Sequence, residues 1–388
     1  MTNRITILGS TGSIGVSTID VIGQLGEAYA VDALSGNGNI ELLARQARQT
    51  RARLAVTADE SRYHDLKQAL AGTGIEAAAG SSGLAEAADG DASWVMAAIV
   101  GTAGLAPTLA AAKRGANIAL ANKECLVSAG DLFIRAVEDG GGTLIPVDSE
   151  HNAIFQVLNE HHRHALERLI LTASGGPFRT WTREAMANVT AATARAHPNW
   201  SMGLKISIDS ASMFNKALEM IEARHLFDVR PDQIEVIVHP QSVVHSMVGY
   251  ADGSVLAQLG YPDMRTAIGY ALSFPARPTL NVERLDFTRL ARLDFEAPDE
   301  DRFPALRLAR LAMERGGLQG AVLNAAKEVA LESFIDGRIG FLQMADITGM
   351  VMDNMAGLSA ASSMEDVFAS DAEARRQATA LIDTSAAA

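Results

Sequence analysis

Along residues 1–148, short apolar runs alternate with stretches in which apolar residues recur every three or four positions. RITILG (4–9), YAVDALSG (29–36), RLAVTA (53–58), WVMAAIV (94–100), NIALA (117–121) and TLIPVD (143–148) are each bounded by turn residues. Strands buried on both faces read as such runs, and the helical periods between them supply the crossovers. The expected architecture is α/β, a Rossmann-like doubly wound parallel sheet that opens with a strand, a glycine turn and a helix from about 13 to 24. The pattern changes at 149. Candidate strands at 167–172, 204–208, 234–239, 242–250 and 253–259 follow with fewer helices between, as expected of an α+β domain over 149–274. Residues 275–302, rich in Pro, Asp and Arg and weakly periodic, read as a connecting segment. Helical periodicity returns over 303–388 and predicts a small C-terminal bundle, with the tail DTSAAA frayed. There is no internal repeat.

Composition narrows the function. A chain of 388 residues exceeds one ordinary core, in agreement with several domains. The net charge of −13 argues against non-specific binding to nucleic acid or to an anionic membrane. An anionic substrate would therefore need cations gathered locally. Cys125 is the sole cysteine, so no intrachain disulfide can form. No apolar run reaches the length of a membrane span, and MTNRITILGS passes into a strand without signal-peptide regions, so the cytoplasm is the expected location.

Several clusters carry candidate chemistry. Gly9-Ser10-Thr11-Gly12-Ser13-Ile14-Gly15 follows the first strand and precedes a helix, the place of a dinucleotide loop, although a plain tight turn has the same composition. Asp32 has the spacing of a ribose-binding acid but falls inside a strand whose end is Ser35 to Asn39. In LANKE, Asn122, Lys123 and Glu124 stand at a strand's carboxyl end, where open α/β sheets place ligands; a solvated helix start is the alternative. Asp148 and Glu150 flank Ser149 and point the same way if extended, as metal ligands or as an ordinary strand-end acidic pair. Ser174-Gly-Gly-Pro could cradle a phosphate or form a simple turn. The segment His197 to Gly203, with Trp200 and Met202, reads as a lid over ligand or as a core plug. A helix over 211–226 places Asn215 and Lys216 on one face with Glu219, close in sequence to Ser210. The absence of a Cys/His zinc pattern and the supply of carboxylates suit a hard cation such as Mg²⁺ or Mn²⁺. Cys125 reads as a small buried residue, His161, His162 and His164 as surface, and His239 and His245 as packing.

Together GSTGSIG (9–15), MAAIVGTAGL (96–105), LANKE (120–124), PVDSEHNAIFQ (146–156), SGGPF (174–178), HPNWSMG (197–203), HPQSVVHSMV (239–248), DGSVLAQLGYPDMR (252–265) and LNAAKE (323–328) span essentially the whole chain. In these words the sequence resembles the 1-deoxy-D-xylulose 5-phosphate reductoisomerase family. The resemblance implies rearrangement of that substrate by a retro-aldol step and its reduction by NADPH to 2-C-methyl-D-erythritol 4-phosphate, in non-mevalonate isoprenoid biosynthesis. It assigns Asp148, Glu150 and Glu219 to Mg²⁺ or Mn²⁺, with Co²⁺ a further option, and gives Lys123 and His197 catalytic roles beside them. It assigns Ser149, Ser174, His197, Ser210, Asn215 and Lys216, together with Lys123, Glu150 and Glu219, to the phosphorylated sugar. Thr11, Gly12, Ser13, Ile14, Asn37, Gly38, Asn39, Asn122, Glu124 and Gly203 fall to the cofactor, with Trp200 and Met202 covering the site. A homodimer is implied too. The family usually carries Lys or Arg before Asn39, where the 2′-phosphate binds; here Gly38 stands there. The family also more often has Ser where Cys125 stands. Two alternatives remain: a semialdehyde- or homoserine-type NADP dehydrogenase, which would need no three-carboxylate metal site, and a non-catalytic nucleotide-sensing paralogue, which would have lost one of Lys123, Asp148, Glu150 or Glu219.

Overall fold

The computed structural model describes residues 2–195 and 203–386. These form two compact units. The first comprises the described residues up to Cys125, Phe133–Phe155 and Asp263–Arg284; the second comprises Leu126–Leu132, the described residues of Gln156–Pro262, and those from Leu285 onward.

In the first unit seven strands form one parallel sheet: β1 (Asn3–Leu8), β2 (Tyr29–Gly36), β3 (Leu54–Thr57), β4 (Glu76–Ala79), β5 (Trp94–Ala97), β6 (Asn117–Leu120) and β7 (Leu144–Pro146). Their spatial order is β4-β3-β2-β1-β5-β6-β7. The chain winds outward from β1 to β4, then returns to lay β5 beside β1. The crevice outside the carboxyl ends of β1 and β5 is thus the topological switch point, where such sheets receive ligands. Ile5, Ile7 and Leu8 of β1 are wholly buried, which is why the strand reads as an unbroken apolar run. β4 escapes such a reading. Its sequence, EAAA, has no β-branched or aromatic residue, and it forms only as the edge of a sheet already built.

The helix Met264–Ser273 packs on the helix Ser13–Leu25, and Ile268, Ala271, Leu272 and Leu280 join the core of this unit. Arg265 fixes the packing through Asp20 at 3.1 Å. The stretch 263–284 therefore folds with the parallel sheet.

In the second unit β8 (Leu166–Ala173), β9 (Ile234–Val238), β10 (Val244–Tyr250) and β11 (Val255–Leu259) form a mixed sheet in the order β11-β10-β8-β9. β8 and β9 are parallel; β10 runs antiparallel to both its neighbours. The strand expected at 204–208 is instead part of the helix Leu204–Ala211. Its letters alternate with period two, but Ile206 stands 39% exposed while Ser207 and Asp209 are buried. Polar residues turned inward thus mimic a strand pattern on a helix. The helix expected at 211–226 runs from Phe214 to Phe227, separated from its predecessor by Met213 in the left-handed region at φ 64°. Four helices follow near the C-terminus: Ala305–Arg315, Gln319–Ile335, Gln343–Asn354 and Met364–Ala386. Among the described residues no helix is long and apolar enough to cross a membrane.

Candidate functional site

The glycine turn lies at the carboxyl end of β1. Gly9 adopts φ 90°, and a Cβ there would fall 2.5 Å from the Ala98 carbonyl oxygen; at Gly15 it would fall 2.4 Å from that of Gly9. Both positions need glycine, the first for the turn and the second for close packing of helix on loop. Ser35 binds the turn to β2, its hydroxyl accepting from Gly9 N at 2.9 Å and its carbonyl from Ser10 N at 2.7 Å. Gly12 caps the helix Ser13–Leu25 without a side-chain acceptor, and no acidic residue occupies the first turn. Gly12 and Ser13 are exposed and Thr11 and Ile14 half-buried. An uncapped helix start with open N–H groups and a positive dipole suits a pyrophosphate.

Asn37, Gly38 and Asn39 are exposed just past β2. Asn39 caps the helix Ile40–Thr50, its side chain accepting from Leu42 N at 3.1 Å. Asp32 lies elsewhere: its carboxylate is buried and paired with Arg4 and Arg53, the latter at 3.3 Å. It is a structural ion-pair centre.

Past β6, Asn122 donates its amide hydrogens to the Ile99 and Gly101 carbonyls, the latter at 2.9 Å, and accepts from Cys125 N at 3.1 Å. Glu124 accepts from Gly101 N at 3.1 Å. These bonds hold the loop after β5 in place at the switch point. Val100, at the tip of that loop, is 73% exposed. The apolar run read as 94–100 is a strand only over Trp94–Ala97, and its last residue, Val100, belongs to the loop. Cys125 is buried.

Lys123, 7% exposed, places Nζ 2.5 Å from the Asp148 carboxylate. Asp148 and Glu150 do not lie in an extended segment. β7 ends at Pro146 and a helix spans Ser149–Val157; Asp148 precedes it, its carbonyl accepting from Asn152 N at 2.8 Å and its carboxylate from Ser149 N at 3.0 Å. The two acids converge through this helix start, with carboxylate oxygens within 4.8 Å of each other. Ser149 donates to Glu150 at 2.5 Å. His151, wholly buried, has Nδ1 3.9 Å from Asp148; the sequence offered it only as the next letter after the acidic pair.

In the second unit Glu219 is completely buried on the helix Phe214–Phe227. Lys216 and Asn215, one turn earlier, both donate to its carboxylate. The helical spacing thus delivers the shared face it implied. Glu222, three residues on, is also wholly buried and was missed, although two acids at i and i+3 share a helix face. Dehydrating a carboxylate costs several kcal/mol unless countercharge and hydrogen bonds offset it. A buried, lysine-compensated glutamate is therefore a costly choice for packing alone. Ser174 opens the loop after β8, its Oγ accepting from Gly176 N at 3.1 Å. A Cβ on Gly176 would meet the Ser210 carbonyl oxygen and Ala211 Cα at 3.0 Å, so the Ser174 loop rests on the helix carrying Ser210. Gly203 caps that helix, its carbonyl accepting from Ser207 N at 3.0 Å. His197, Trp200 and Met202 lie outside the described residues.

Family models for 1-deoxy-D-xylulose 5-phosphate reductoisomerase match residues 5–130, its C-terminal domain 144–227, and a DXP reductoisomerase C-terminal domain 259–377. The chain is 75% identical over 381 residues to the 1-deoxy-D-xylulose 5-phosphate reductoisomerase of Sinorhizobium medicae, covering 98% of this chain and 97% of that one. The enzyme of the same name from Rhizobium rhizogenes is 73% identical, with 98% and 96% covered. Among solved structures, the Zymomonas mobilis reductoisomerase in complex with NADPH has a TM-score of 0.93 and 54% identity, with 98% and 99% covered. A DOX-P reductoisomerase in complex with NADPH, fosmidomycin and magnesium has a TM-score of 0.94 and 43% identity, with 98% of each chain covered.

Proposed function

Because the chain belongs to the 1-deoxy-D-xylulose 5-phosphate reductoisomerase family, we propose that it converts 1-deoxy-D-xylulose 5-phosphate to 2-C-methyl-D-erythritol 4-phosphate with NADPH and a divalent metal ion. Two observations, one within each unit, support the reading beyond family membership: Asp148 and Glu150 bring their carboxylates together at one helix start, and Glu219 is wholly buried and met by Lys216 and Asn215. An all-oxygen carboxylate set fits Mg²⁺ or Mn²⁺, and Co²⁺ as well. When bound, the ion supplies Lewis-acid polarisation of the substrate's oxygens. Lys123 beside Asp148 orients those oxygens and balances charge. His197 joins Lys123 in the chemistry. Ser174, Ser210, Asn215 and Lys216 hold the phosphate and hydroxyls, with Ser149 beside Glu150. Thr11, Gly12, Ser13 and Ile14 cradle the pyrophosphate, and Asn37, Gly38 and Asn39 border the ribose. Asn122 and Glu124 reach the nucleotide through the loop they hold, and Gly203 contributes at the cofactor. Trp200 and Met202 close over the reacting atoms and exclude water.

The same reading assigns residues 1–148 to NADPH, 149–274 to catalysis, 275–302 to a connection and 303–388 to a helical domain. It includes a homodimer in the cytoplasm that engages neither nucleic acid nor membrane, which the net charge of −13 supports. Carbon-13-labelled substrate tests the reading. One NADPH should be consumed for each branched-chain product formed. NADPH consumption that leaves the skeleton unbranched would favour a plain dehydrogenase, and no consumption at all would favour a nucleotide-sensing role.

A further inference from the structure

We propose that the buried ion pair Asp209–Lys327 is a positioning device for substrate binding: it fixes the helix Leu204–Ala211 on the helix Gln319–Ile335 and thereby sets Ser210 where the substrate's phosphate is held. The proposal rests on the phosphate role given above to Ser210. Lys327 Nζ lies 2.9 Å from Asp209 Oδ2, with side-chain exposures of only 4% and 12%. The other carboxylate oxygen, Oδ1, is buried and accepts no hydrogen bond among the described residues. A pair taken out of water is a poor source of stability, since desolvation rivals the Coulombic gain. An apolar pair of equal volume would serve packing at least as well. What an ion pair provides and an apolar pair does not is a defined register.

The register is specified twice. Four residues before Asp209, Lys205 reaches Glu332 on the same partner helix at 2.7 Å. That exposed pair contributes little to stability, but it fixes direction: in chain order each helix offers a cation and then an anion, Lys205 then Asp209 and Lys327 then Glu332, so the two pairs form only when the helices run antiparallel. Reversing the short helix end for end on its partner would bring Lys205 toward Lys327 and Asp209 toward Glu332, so like charges would oppose that arrangement.

What depends on this register is the phosphate group of residues. Ser210 is covalently next to Asp209. The Ser174–Gly176 loop leans on Ser210 and Ala211 with no room for a Cβ at Gly176. Directly after the Met213 turn come Asn215 and Lys216. A displacement of the short helix therefore moves Ser210, shifts the support under Ser174, and pulls on the turn before Asn215. Misplacing such groups by about 1 Å typically costs ten- to a hundredfold in substrate handling.

The test separates positioning from stability. Asp209→Asn alone removes the carboxylate charge that faces the buried Lys327 ammonium and should lower the melting temperature. The double variant Asp209→Asn/Lys327→Met removes both charges and should regain most of that stability, since replacing a whole buried pair is often neutral. It should bind NADPH with parental affinity, yet show a KM for 1-deoxy-D-xylulose 5-phosphate raised about tenfold or more, with a smaller change in kcat. A double variant with parental KM overturns the proposal. If the double variant does not fold, Lys327→Arg serves instead, because it keeps the charge and shifts its centre: a raised KM with unchanged NADPH affinity supports the proposal, and a parental KM overturns it. Ser210→Ala is run in parallel. A parental KM there contradicts the phosphate role of Ser210 itself, a failure distinct from that of the ion pair.

Discussion

At Gly38 a side chain has room. No atom lies within 4 Å of where its Cβ would stand, and the residue does not use the left-handed region. The loop is exposed and its neighbour Asn39 already caps a helix, so Gly38→Arg should fold as the parent does. If this position borders the 2′-phosphate, the new guanidinium gains a charge-assisted contact worth roughly 1–3 kcal/mol, a gain NADH cannot share. Titration should show tighter NADPH with little change in NADH; an equal response would place Gly38 away from the 2′-phosphate. Asp32 teaches the opposite lesson at the same scale. Its spacing from Gly12 suits a ribose-binding acid, but Arg4 and Arg53 engage it within the sheet. Spacing along the chain does not say which way a strand residue points. The pairing of Asn215 and Lys216 with Glu219 was legible because helical spacing alone dictates it.

Elements were legible where burial and periodicity agree. The sheet of the first unit follows from runs such as YAVDALSG, which coincide with β2 residue for residue. The helix Leu204–Ala211 was illegible because Ser207 and Asp209 are buried polar residues, and Asp209 is buried against a partner more than a hundred residues away that no local window contains. The start of the helix Ser149–Val157 was likewise hidden, since PVDSEHN carries acids that suit either a strand end or a helix N-terminus.

A break inside one helix has a consequence for stability. The helix Glu124–Gly140 departs from helical geometry at Gly130, at φ 34°, where the ring of His225 seats so closely that a Cβ would lie 2.5 Å from it. Burial, which dominates, pushes the pKa of His225 below 6.5; Asp131, whose carboxylate lies 3.1 Å from Nδ1, opposes the shift, and the neighbouring Arg224 adds to it. Between the lowered native value and 6.5 the unfolded chain holds a proton that the native ring does not. Stability contributed by this group is therefore full above 6.5 and declines as the pH falls below it. Urea midpoints taken at about pH 8 and about pH 5.5 should fall more for the parent than for His225→Gln, which cannot titrate. Equal falls would show that the ring is not held neutral by its burial.

For the molecule as a whole, the net charge of −13 sets the problem that an anionic substrate poses. Each unit sets a buried lysine against an acid of the proposed donor set: Lys123 on Asp148 and Lys216 on Glu219. Each lysine neutralises its carboxylate, so the acids can be packed without a bound ion yet remain available to one. The central claim is that turnover, though not nucleotide binding, depends on a divalent ion held by Asp148, Glu150 and Glu219. Its most direct test is a Mg²⁺ titration of chelator-treated protein, parent and Glu219→Gln, reading turnover of 1-deoxy-D-xylulose 5-phosphate and NADPH affinity together. The account predicts that the parent loses turnover on chelation and regains it with Mg²⁺. It predicts that Glu219→Gln stays slower by on the order of 10²-fold or more at limiting Mg²⁺, with NADPH affinity unchanged in both. Turnover that survives chelation, or a Glu219→Gln protein with parental activity at limiting Mg²⁺, would contradict it.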